Sequence, residues 1–121
     1  MCVSIIGGAL VWALSPTVTG EIEPWDSSMQ YYAFGIFIAA ATGALLSGWH
    51  VWVPIVGVYL AQNIYTLFFY SPGGPIILPM FISAAIYGFV PSIFGATIGS
   101  LPYVIWQKMN YKPSPKTRDN K

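Results

Sequence analysis

From residue 27 to residue 107 the chain carries no formally charged side chain. Three of its four acids, Glu21, Glu23 and Asp26, crowd into the stretch GEIEPWDSS just before this gap, and all five Lys and Arg residues follow it, between Lys108 and Lys121. About a quarter of the residues of a water-soluble domain are charged, because its surface must be covered with groups that water solvates. Here the charged share is 7%, against 55% hydrophobic and 17% aromatic residues. The surplus apolar surface calls for hydrocarbon as its solvent, so the expected fold is an all-α integral membrane bundle. A length of 121 residues holds it to one domain. The single cysteine, Cys2, excludes an intrachain disulfide, and with only one histidine no nitrogen–sulfur metal set is expected.

A membrane-spanning helix needs roughly 20 mostly apolar residues. Four segments meet or approach this: residues 1–18, 31–47, 51–70 and a longer run within 76–106. The last exceeds one upright span, so an interfacial entry near Pro79 and a tilt or kink near Pro91 are expected. The breaks SGWH (47–50) and SPGGP (71–75) are short and carry the glycines and prolines of turns. They make antiparallel neighbours of the second, third and fourth helices. Aromatic residues cluster where the helix ends fall: Trp25, Tyr31 and Tyr32; Trp49 and Trp52; Tyr103 and Trp106. Amphipathic rings favour the headgroup layer, and these are placed there. No basic residue precedes the first apolar run, which is therefore read as a retained span and not a cleaved signal. The organisation is a transmembrane domain at 1–107 followed by a basic tail at 108–121. With four spans both termini share a side, and the basic tail assigns that side to the cytoplasm. The acids then gather in the loop because little else in the chain lies outside the membrane.

Within the spans, small residues recur every four positions: Gly35, Ala39, Gly43 and Ser47 in the second helix, and Ala84, Gly88, Ser92, Ala96 and Ser100 in the fourth, flanked by Gly95 and Gly99. Such faces let helix backbones approach closely, which is the main source of attraction between helices in lipid. They serve either packing within the bundle or contact with a partner subunit, and Gly35, Ala39, Gly43, Gly88 and Ser92 are the candidate partner-binding positions. Tyr59, Gln62 and Asn63 form an intramembrane polar group in the third helix. Amides at this depth seek hydrogen bonds on other helices, or line a transport path or a cofactor site. His50, the sole histidine, is either a headgroup-level residue at a hairpin end or an axial ligand to haem or chlorophyll. The loop residues Glu23, Pro24, Trp25 and Asp26 combine a rigid proline, an aromatic anchor and acids. They make either a solvated loop or a docking point.

The run Thr19, Gly20, Glu23, Pro24, Trp25, Asp26, followed by Tyr31 and Tyr32, resembles a group of small uncharacterised bacterial membrane proteins in which a T-G-x-x-E-P-W-D segment precedes a Gly- and Ala-rich span. The resemblance covers roughly residues 8 to 70. It implies a polytopic inner-membrane protein and supplies no activity. Small multidrug exporters and dimeric fluoride channels fit less well: the first span has no acid, and no Arg precedes Arg118.

No nucleophile with a base, phosphate loop or metal set accompanies these residues, so no catalytic site is expected. The functional expectation is a small accessory subunit of a larger membrane complex, its partners being other integral membrane subunits and lipids, with no nucleic acid. A homo-oligomeric transporter or channel is the alternative, and a pigment- or haem-binding subunit a third. No cofactor is required, though chlorophyll or haem at His50 belongs to the third reading. The topology is open to direct test. In a Cys2→Ser background, Ser28→Cys should react with an impermeant thiol reagent on intact cells and Ser114→Cys should not. The reverse pattern would invert the assigned orientation.

Overall fold

A computed structural model of the chain describes the backbone at residues 1–21, 29–48, 50–69 and 77–111, with the side chains at all of these except 69, 77–81 and 84. Four helices account for it: α1 (Cys2–Val18), α2 (Met29–Ser47), α3 (Trp52–Phe69) and α4 (Ile77–Asn110), with no strand among the described residues. The all-helical fold and the number of helices agree with the sequence expectation, and three of the four helices match the predicted boundaries within two residues. α4 continues past residue 106 to Asn110, which places Lys108 in its last turn. Two of the four helices are long and apolar enough to cross a membrane: α2, and α4 over Ala85–Asn110, each with mean hydropathy 1.4. α1 and α3 are apolar but shorter.

Local signals explain where the helices stop. Gly48 follows α2 with φ +73°, the left-handed conformation in which glycine ends a helix without Cβ strain. Two residues later His50 offers its carbonyl to the Val53 amide at 3.1 Å and opens α3. Gly20, φ +81°, does the same for α1. Here the end is also closed by side chains: Thr19 Oγ1 donates to Ser15 O at 2.8 Å, Ser15 Oγ donates to Glu21 O at 2.8 Å, and the Glu21 amide donates to Thr19 Oγ1 at 3.2 Å. In α4 the helix is unbroken through Pro91 and Pro102, and Pro79 falls in its first turn, where a missing N–H costs no internal bond.

Contact pairs give the arrangement. Gly7 lies against Ala39, Val11 against Gly35 and Ser4 against Gly43, so α1 and α2 run antiparallel. Ser4 lies against Gly57 and Gly8 against Ala61, so α1 and α3 run parallel. α4 runs parallel to α2, with Gly95 on the Phe37 carbonyl and Gly99 on the Ala41 carbonyl. The result is an up-down-up-down bundle in which α2 and α3 form the shared centre, and α1 and α4 flank them without touching each other. α2 and α4 have the most extensive interface. The core holds Trp12, Tyr32, Ile36, Ala40, Ala44, Val58 and Ala96, all fully buried.

The Gly95–Gly99 seat rests on backbone: a Cβ at either position would collide with an α2 carbonyl oxygen. Backbone cannot move aside as a flexible side chain can, so Gly95→Leu and Gly99→Leu should each cost about 1–3 kcal/mol or more. Phe94→Leu, on the outward face at 61% exposure, is the control. Thermal unfolding of the purified protein measures the effect, and wild-type melting of both glycine variants would rule out the contact.

Candidate functional site

Two polar side chains meet across helices in the bundle interior. Tyr32 on α2 is fully buried and donates its hydroxyl to Gln62 Oε1 on α3 at 2.5 Å. Gln62 is itself 1% exposed. α4 covers the pair with Gly88: a Cβ there would come within 2.9 Å of Tyr32 Oη and 3.1 Å of Gln62 Nε2. One side chain from each of two helices and a missing one from the third thus make a closed junction of α2, α3 and α4. The bond meets the need of an amide in an apolar interior, since a buried acceptor left open costs about 1–3 kcal/mol.

Three other hydroxyls, those of Thr66 and Ser92 buried and that of Ser47 half-buried, are satisfied within their own helices. Thr66 donates to Gln62 O at 2.8 Å, Ser92 to Gly88 O at 2.6 Å and Ser47 to Gly43 O at 2.7 Å. Each bond runs back one turn, the usual solution for a hydroxyl in a helix interior. Ser4 Oγ and Asn63 Oδ1 find no hydrogen-bond partner among the described residues. Tyr31 crosses from α2 to α1, donating to the Val11 carbonyl at 2.9 Å. Trp12 sits at ring contact with Tyr65, centroids 5.9 Å apart, so aromatic packing joins α1 to α3.

Beside the junction, α3 and α4 diverge outward into a groove of about 310 Å³, lined by Trp52, Ile55, Val56, Tyr59, Gln62, Ala85, Gly88, Phe89 and Ser92. Of the polar group expected in α3, Tyr59 and Gln62 line this groove. Asn63 does not: its amide nitrogen turns back to the Tyr59 carbonyl at 2.7 Å. The small residues singled out as partner-binding positions have neighbours inside the chain. Gly35 meets Val11, Ala39 meets Gly7, and Gly43 meets Ser4 and Pro54. Gly88 meets the Tyr32–Gln62 pair, and Ser92 is buried beneath it. His50 is exposed between α2 and α3. Among the described residues no group of three His, Cys, Asp or Glu side chains is placed to hold a metal ion. Glu23, Pro24, Trp25 and Asp26 lie outside the described residues.

The headgroup placement of Tyr32 needs correction. It lies in the second turn of α2, but on the inner face, and the fold buries it completely. The signal was present in the small-residue pattern: extending the face of Gly43, Ala39 and Ile36 back by one more turn reaches Tyr32. Trp12, for which the sequence carried no placement, is also fully buried. Chemically the junction is neutral. It can hold helices together and offer hydrogen bonds, and it has no carboxylate, imidazole or thiol to move a proton at ordinary pH.

Comparison with known proteins adds no name: no protein-family model matches the chain, and neither a curated protein nor a solved structure matches it.

The junction predicts a measurable coupling. Tyr32→Phe leaves Gln62 Oε1 without its donor and should cost about 1 kcal/mol, while Tyr32→Phe combined with Gln62→Leu should cost less than the two single losses added together. A double-mutant cycle on unfolding free energy checks this. Strict additivity would mean that the two side chains do not interact.

Proposed function

We propose that the protein is an integral membrane subunit whose four helices all lie in the bilayer and which acts as a non-catalytic accessory of a larger membrane complex, with a cytoplasmic C-terminus. The observation that carries the membrane reading is the distribution of polarity. The outer surface presents Phe34 at 67% exposure, Leu46 at 67% and Phe68 at 77%, with Ile6, Ile38, Ile86, Phe94 and Ile105 also exposed, whereas Ser4, Ser15, Gln62, Thr66 and Ser92 are buried. Only 33% of the apolar window in α2 and 28% of that in α4 are buried within the bundle. A core helix of a soluble protein would be mostly enclosed, and an apolar exterior of this extent marks contact with lipid or with other chains. Lengths of 17 and 18 residues for α1 and α3 sit at the short end of what spans a bilayer, which local thinning accommodates.

The accessory role rests on the chemistry at hand. Charged and strongly polar groups inside a membrane are the usual marks of ion or proton paths. Here the buried amide of Gln62 accepts from a tyrosine, and the charged residues lie at 21–26 and from Lys108 onward. Because the glycine faces are filled from within the chain, the partner contact falls to the Glu23–Pro24–Trp25–Asp26 loop. There the indole would be buried against a neighbouring subunit, with the acids meeting donors at its rim.

Two measurements test this. Alkaline carbonate extraction should leave the protein in the membrane pellet, and release into the supernatant would overturn the membrane assignment. Purification in mild detergent should bring other membrane chains with it. Trp25→Ala should weaken that association by about thirtyfold, as truncation of an aromatic anchor commonly does, while leaving helicity intact. A homo-oligomer that purifies alone, conducts a solute in liposomes and ignores Trp25→Ala would replace the subunit with a transporter.

A further inference from the structure

The groove between α3 and α4 has a mostly apolar lining with the Gln62 amide at its floor, and the Ser92 hydroxyl in that lining already donates to Gly88 O. Gln62 accepts from Tyr32 through Oε1, which leaves Nε2 with two N–H donors. No acceptor for them is present among the described residues, although the side chain is 99% enclosed (1% exposed). Gly88 contributes no side chain that would cover Nε2, since a Cβ there would stand 3.1 Å from it. The rim is aromatic and aliphatic: Trp52, Val56, Tyr59 and Phe89 are each more than a third exposed, and Ile55 is buried behind them. An apolar cavity of about 150 Å³ holds a benzene ring, and small-molecule sites begin at about 300 Å³. A groove of about 310 Å³ therefore accommodates a substituted one- or two-ring compound.

We infer that this groove binds a neutral, membrane-dissolved ring compound carrying a carbonyl acceptor, of the quinone class, with the ring against the Trp52–Tyr59–Phe89 rim and the carbonyl on Gln62 Nε2. The choice of occupant follows from the enclosed Gln62 amide and its depth. A hydrocarbon chain would fill the space but leave the amide hydrogens unanswered. A phospholipid ester has the acceptor, but at the wrong height. Gln62 stands ten residues into an 18-residue helix, about 15 Å from its start at 1.5 Å per residue, whereas ester carbonyls stay at the edge of the hydrocarbon layer. This depth argument rests on the membrane reading above. An anionic ligand is disfavoured because no Lys or Arg lies on the groove. Aromatic walls suit a flat ring, which they contact offset or edge-on.

The test uses the full-length protein in detergent, grown with isotopically labelled glutamine so that the Gln62 side-chain amide is followed by NMR and assigned through Gln62→Leu. Menadione, a two-ring quinone, should shift the Gln62 amide saturably. Methylnaphthalene, which has the same ring skeleton without carbonyls, should bind about tenfold more weakly, the worth of one hydrogen bond of ordinary strength. Val56→Trp, which fills the groove from its exposed rim and leaves the Tyr32–Gln62 junction untouched, should abolish the response. Equal binding of the two compounds would overturn the proposal, as would a menadione shift that survives Val56→Trp. It would also fall if Val56→Cys cross-linked to a second copy and no menadione response were seen, since the groove would then be an interface. The carbonate extraction separates the two ideas. Release from the membrane with menadione binding retained defeats the membrane reading alone, and retention in the membrane with an unmoved Gln62 amide defeats the ligand alone.

Discussion

Two glycines resting on the backbone of the neighbouring helix set the geometry of the bundle. Gly95 and Gly99 seat α4 on the Phe37 and Ala41 carbonyls of α2, one helical turn apart on both partners. At this approach Cα–H groups face carbonyl oxygens directly, a weak interaction that recurs where helices cross closely. The repeated step of four residues fixes register as well as distance, because sliding α4 by one residue would replace a glycine by Ala96 or Ser100 against the carbonyl. Once that register is set, Gly88 arrives over Tyr32 and Gln62, and the position of the groove along α3 follows.

Close approach at small residues also runs through the other side of the bundle. α1 meets α2 with Gly7 against Ala39 and Val11 against Gly35, and meets α3 with Ser4 against Gly57 and Gly8 against Ala61. Most of these are small-on-small contacts, and Val11 on Gly35 is the larger side chain among them. Trp12, the largest fully buried side chain among the described residues, stands at ring contact with Tyr65. On the proposed membrane reading, where lipid tails are as apolar as leucine, dispersion across such close faces would take the place of the hydrophobic effect as the attraction between helices. The polar groups add direction. Tyr31 ties α2 to α1 through a backbone carbonyl, and Tyr32 ties it to α3 through an amide.

This inside-out distribution links architecture to role. Side chains that water would solvate are spent inside, on each other or on their own helix, and the outside is given to Phe, Leu and Ile. The described surface is largely apolar, and the groove beside Gln62 is rimmed by aromatic side chains.

Read by itself, the sequence determined the class, the number of helices and most of their ends. A run of eighty-odd uncharged residues and glycines at turns are one-dimensional properties, set by solvation and by local backbone preference; Gly20 and Gly48 both proved to be left-handed helix stops. It also marked Gln62 as an amide in need of a partner. It could not say which partner, because Tyr32 and Gln62 meet only when two helices settle in register 30 residues apart. Nor could it say whether the small-residue faces would look inward or outward. Gly35, Gly43 and Gly88 read the same in either case, and only the packing of α1 and α4 around the α2–α3 centre turned them inward. The aromatic positions show the limit most plainly. Trp12 and Tyr32 have the rings that membrane interfaces favour, yet both are buried, since the rotation of a helix about its axis is decided by the neighbours it packs against and not by its own composition.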